Sequence, residues 1–121
     1  MKVIPTLTMD KNNLKIHLKY HDRRIVTGRD EIKGRSGDLF KIEGDPRIWV
    51  LIRVPHEGYT IDDYAEEFYK DEGYSSVYQG GAIQSIGALK NYLRRTYGDY
   101  DYIRIWPHEF MVINLKEEDL K

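Results

Sequence analysis

The chain has 121 residues, 40% hydrophobic and 32% charged, with a net charge of −1. That composition belongs to a folded domain, expected to span residues 1–121 as one unit, and it excludes a global basic field, so any nucleic-acid contact must come from a local patch. Cysteine is absent, which excludes disulfides, thiol catalysis and thiolate metal sites, and no long apolar run is present, so a cytoplasmic protein without a membrane segment is expected.

Lys2 to Thr8 alternates weakly around Pro5 and predicts an edge strand. A turn at Asp10 to Asn13 follows. Leu14, Ile16, Leu18 and Tyr20 then alternate with Lys15, His17 and Lys19, the period of a half-buried strand. "RIVTGR", Arg24 to Arg29, is short and β-branched and predicts another strand. "DEIKGRSGD", residues 30–38, is a loop with two glycines. "LFKIEGD" and "PRIWVLIRV" predict two strands joined at Gly44-Asp45.

The period then changes. Ile61, Tyr64, Ala65 and Phe68 fall on one helical face, with Thr60 as N-cap, Asp63 three residues on and Gly73 as the stop. A second helix is expected from about Ser85 to Tyr97, with Ile86, Leu89 and Leu93 as its apolar stripe and Gly98 as its end. "YDYIRIW", "PHEFMVINLK" and an acidic tail from Glu117 close the chain. These elements predict an α+β fold, a small mixed β-barrel of about six strands with two inserted helices. Ten tyrosines against three phenylalanines suit half-covered strands and stacking surfaces.

The order of these elements resembles the ASCH family, a branch of the PUA-like β-barrels. The resemblance is carried by the strand ending in "GR", the loop closing in "SGD", "LFKIEG", "RIWVLIRV", "EEFYKDEGYSS", the second helix and "FMVINLK", over residues 24–115. The family pattern Gly-x-Lys-x-x-(Glu/Thr)-x-Arg fits in two ways. In the preferred one, Arg24, Thr27 and Arg29 take the Lys, Thr and Arg places. In the other, Gly28, Asp30, Lys33 and Arg35 take the Gly, Lys, Glu and Arg places, which reverses the Lys-Glu charges.

The resemblance implies an RNA-binding module with a basic cleft beside the barrel. As an alternative it implies a hydrolase acting on a modified nucleoside, similar to N4-acetylcytidine amidohydrolases, or a ribonuclease. For an enzyme, the implied catalytic set is Arg24, Thr27 and Glu72. Arg24 then stands where the family has lysine. Arginine stays protonated and cannot activate a threonine hydroxyl, so lost or altered chemistry is expected.

For a binding module, Arg29, Lys33, Arg35, Lys41 and Arg53 form the anion-binding rim, and Tyr59, Tyr74 and Tyr78 are the stacking residues. The interleaved Asp30, Glu31 and Asp38 equally fit an ordinary mixed-charge surface. A protein-interaction domain using the tyrosine-rich face is the third reading. Partners are expected to be RNA or a modified nucleoside, with no DNA-specific signal. "PHE" occurs at residues 55–57 and 107–109, each after an apolar strand, and is read as marking strand ends, not a metal site. No cofactor is implied.

Overall fold

The computed structural model describes residues 4–8, 24–72 and 81–113. The strand expected over Leu14 to Tyr20, the helix stop at Gly73, the stacking candidates Tyr74 and Tyr78, and the tail from Glu117 lie outside the described residues. Among the described residues, five strands and two helices follow in chain order: β1 (Thr6–Leu7), β2 (Arg24–Arg29), β3 (Leu39–Ile42), β4 (Ile48–Arg53), α1 (Ile61–Phe68), α2 (Gly81–Tyr97) and β5 (Trp106–Val112). The strands form one mixed sheet in the order β1-β3-β4-β5-β2, with β1 parallel to β3 and every other pairing antiparallel. The sheet curls into a half-barrel that is not closed.

Two apolar clusters flank the sheet. One takes Leu7, Ile25, Phe40, Ile42, Trp49, Leu51, Phe110 and Val112; the other packs Val26 and Ile105 against Ile61, Tyr64 and Ala65 of α1 and Leu89 and Leu93 of α2. Ile25 and Val26, neighbours on β2, therefore serve opposite clusters, as a period of two requires. This strand is buried on both faces although it ends the sheet order.

Thr60 caps α1 as expected, accepting the Asp63 N–H at 3.1 Å. The helix stops at Phe68 with Tyr69 as C-cap, five residues before Gly73. A turn over residues 69–72 then carries the chain to the free edge of β2, where the Asp71 carbonyl accepts the Val26 N–H at 3.0 Å. The second helix starts at Gly81, four residues before the predicted Ser85. It ends at Tyr97, and the N–H of Gly98 that follows returns to the Arg94 carbonyl at 2.9 Å.

Pro107-His108-Glu109 does not mark a strand end: all three residues lie inside β5. Pro107 is tolerated because it faces Gly28 at a site that needs no N–H toward β2, and the β4 pairing has already stopped at Glu109.

Candidate functional site

The site is organised around Gly28. Its N–H points out of the free edge of β2 and donates to Glu72 Oε1 at 3.4 Å. Its carbonyl accepts from the Tyr97 hydroxyl at 3.2 Å and from Arg29 Nη1 at 2.8 Å. Its Cα face is closed as well: a Cβ there would stand 2.6 Å from Ile105 Cγ2 and 2.7 Å from Tyr64 Cζ. Only glycine lets α1, α2 and the approach to β5 meet over this point.

Glu72 thus caps, with a side chain, an amide at the outer edge of the described sheet. The cap is electrostatically costly. Burial pushes the Glu72 carboxyl up to about 7, against the opposing pull of the Tyr64 hydroxyl, the Gly28 N–H and Arg29. Among the described residues, its Oε2 and the Tyr64 hydroxyl are both buried and, though near enough to influence one another, have no partner in hydrogen-bonding geometry. Burial, followed by the Glu72 charge, also raises the Tyr64 phenol well above its ordinary value.

Arg29 ties the two open edges of the sheet together. Nη1 donates to Thr27 Oγ1 as well as to the Gly28 carbonyl, and Nη2 donates to the Thr8 carbonyl just past β1 at 3.1 Å. Thr27 is buried on the same face of β2, two residues away, where strand periodicity places it.

His108 stands opposite Thr27 in the β2–β5 register and is 1% exposed. Its Nδ1–H donates to the Trp106 carbonyl at 2.8 Å, and its Nε2 accepts the Lys33 N–H at 2.8 Å. Both ring nitrogens are spent, so the imidazole is neutral with its proton on Nδ1. Burial holds its pKa below the ordinary histidine value, and Arg29 and Lys33 add to that. The buried ring pins the loop over residues 30–38 at Lys33. At the other end of that loop the Gly37 N–H donates to the Leu51 carbonyl at 2.7 Å, in a backbone of φ +94° that favours glycine.

Between β1, this loop and the C-terminal half of α2 lies a cleft of about 920 Å³. Arg29 and Lys33 line it together with Thr8, Leu39, Tyr92 and Tyr97. Of the expected rim cations, Arg29 and Lys33 are brought to this cleft, although the Lys33 ammonium also pairs with Glu31. Arg35 and Lys41 are exposed and do not line it. Arg53 is on another face, paired with Glu109 at 2.7 Å.

Arg24 joins that second group, 3.6 Å from Glu109. Three residues apart on one strand, Arg24 and Thr27 point to opposite faces. The catalytic set expected from the resemblance is therefore divided. Thr27 and Glu72 are linked through Gly28 and Arg29, and Arg24 is outside. Tyr59 is also away from the cleft, its ring edge-on to Phe68 at 5.3 Å. Tyr92 and Tyr97 supply the aromatic wall in its place. No family model, curated protein or solved structure matches this chain. Among the described residues, no three His, Asp or Glu side chains are grouped to hold a metal, and no helix is long and apolar enough to cross a membrane.

Proposed function

We propose that this chain is an RNA-binding module that takes a single-stranded segment in the cleft between β1, the 30–38 loop and α2. The observation that carries this reading is the pairing of chemistries along one cleft: Arg29 and Lys33 for a phosphate, Tyr92 and Tyr97 for a base or sugar. The resemblance to the ASCH family supports it from the sequence side. Arg29 is a poor probe, because three of its donors hold the sheet edges, and Lys33 is the informative one.

Lys33→Ala is expected to weaken binding of a labelled single-stranded RNA several-fold in fluorescence anisotropy and to lower the salt slope by about one. A wild-type protein that binds no RNA at low salt ends this reading.

A second reading, a hydrolase acting on a modified nucleoside such as N4-acetylcytidine, is favoured by one feature. Glu72 carries a carboxyl whose pKa is pushed up to about 7, which suits a general acid–base group, and it is linked to Thr27 through Gly28 and Arg29. With Arg24 outside, Glu72 itself would be the proton acceptor. In this reading N4-acetylcytidine is consumed, and Thr27→Val and Glu72→Gln each abolish turnover in a chromatographic assay. The absence of turnover by the wild-type protein rejects it.

A further inference from the structure

Among the described residues the most exposed aromatic rings are Tyr102, at 74%, and Tyr100, at 61%. They occupy one turn, closed by the Ile103 N–H donating to the Tyr100 carbonyl at 3.1 Å. Their ring centroids are 5.3 Å apart with 13° between the planes, a nearly parallel stack.

The turn is firmly based. Ile103 packs on the helix-side core, and the buried Ile105 exchanges both backbone hydrogen bonds with Tyr59 at 2.7 Å. On the other side Tyr100 comes close to the end of α2, where a Cβ on Gly98 would lie 3.0 Å from its ring. Arg104 is fixed to the same turn, its Nη1 donating to the carbonyls of Asp101 at 2.7 Å and Ile103 at 3.0 Å. The hydrogen bonds from Nη1 leave Nε and Nη2 as further donors.

We propose that the Tyr100–Tyr102 stack is a platform for a base of single-stranded RNA, with Arg104 taking a neighbouring phosphate. This rests on the RNA-binding reading and adds a second contact point outside the cleft. Two parallel rings on a rigid turn extend naturally by a third flat ring, and little ordering is left to be done on binding. A polyproline peptide instead needs an aromatic-lined groove, which two parallel stacked rings do not make. The charge left around the turn is mildly positive: Arg94 is taken up by Asp99 at 3.1 Å and Asp62 at 2.7 Å, which leaves Arg95 and Arg104 against Asp101.

The test is anisotropy of a labelled oligouridylate with the full chain. Tyr102→Ala is expected to weaken binding roughly ten- to a hundredfold, the loss of one base–aromatic stack, and Tyr102→Trp to restore it. The ring is exposed, so an unchanged thermal transition verifies that the alanine variant is folded. Unchanged affinity in Tyr102→Ala overturns the platform, and if Lys33→Ala still weakens binding, the cleft reading survives alone. Equal losses in the alanine and tryptophan variants also overturn stacking. If the wild-type protein binds no RNA, both readings fall. A proline-rich peptide whose binding depends on Tyr102, with RNA affinity untouched, assigns the face to a protein and overturns the proposal.

Discussion

Gly28→Ala is expected to destabilise the protein by about 3 kcal/mol or more, near the upper end of what overpacking a core costs. The added methyl group has nowhere to go. It would meet Ile105 Cγ2 at 2.6 Å, Tyr64 Cζ at 2.7 Å and the Tyr64 hydroxyl oxygen at 2.9 Å. Neither neighbour yields easily. Ile105 is fully buried and held by both backbone hydrogen bonds to Tyr59, and Tyr64 is the buried centre of α1. The strand cannot move away either, because its N–H is tied to Glu72 and its carbonyl to Tyr97 and Arg29.

Chemical denaturation monitored by circular dichroism measures the loss, which corresponds to roughly 10 °C in Tm for a domain of this size. Gly87→Ala is the matched control. It lies within α2 with nothing near the position a Cβ would take, so alanine there is expected to stabilise the helix by about 0.5–1 kcal/mol. A loss below about 1 kcal/mol at Gly28 would mean that the three elements do not meet there as described.

Strand composition and helical spacing were legible in the residues. The β-branched "RIVTGR" and the apolar run "RIWVLIRV" place β2 and β4, and the spacing of Ile61, Tyr64, Ala65 and Phe68 places α1. The boundary at Arg29 between the strand "RIVTGR" and the loop "DEIKGRSGD" was legible as well. Sheet order was not legible. The parallel pairing of β1 with β3 and the neighbouring of β5 with β2 depend on how the sheet curls, which local pattern does not encode.

His108 was missed although its signal was present. His108, Phe110 and Val112 alternate along β5 and are all buried, so the histidine of the tripeptide that looked like a strand end belongs to a buried face of the strand, while Pro107 and Glu109 point to the other. The Gly28 hub had no local signal at all. It joins Tyr64, Glu72 and Tyr97, which approach it from two helices and a turn between 36 and 69 residues further along the chain. Strand arithmetic alone separates Arg24 from Thr27, since an odd spacing on a strand cannot put two side chains on one face.

The pH dependence of stability should carry the signature of Glu72. Its carboxyl is raised in the folded protein from 4.5 to about 7. The unfolded chain therefore releases this proton at lower pH than the folded one. Between pH 4.5 and 7 the folded state holds more protons, so raising the pH favours unfolding. The stability from this group is complete below pH 4.5 and is lost as pH rises through 7, a difference of about 3 kcal/mol.

His108 works in the opposite sense. Its pKa is lowered in the folded protein, so its stabilising share is present above its unfolded value of 6.5 and is lost as pH falls through the folded one. The raw wild-type curve mixes the two slopes, and Glu72→Gln separates them. Glutamine keeps a carbonyl oxygen for the Gly28 N–H and places an amide beside the unpartnered Tyr64 hydroxyl, but it does not ionise. The difference between variant and wild type should be near zero at pH 4.5 and should rise to as much as about 3 kcal/mol in favour of glutamine by pH 8. A flat difference curve from urea titrations across that range would place Glu72 in water rather than under Gly28. A variant that matches wild type at pH 4.5 but is less stable at pH 8 would make the charge itself, and not the acceptor oxygen, the part of Glu72 that holds the edge of β2.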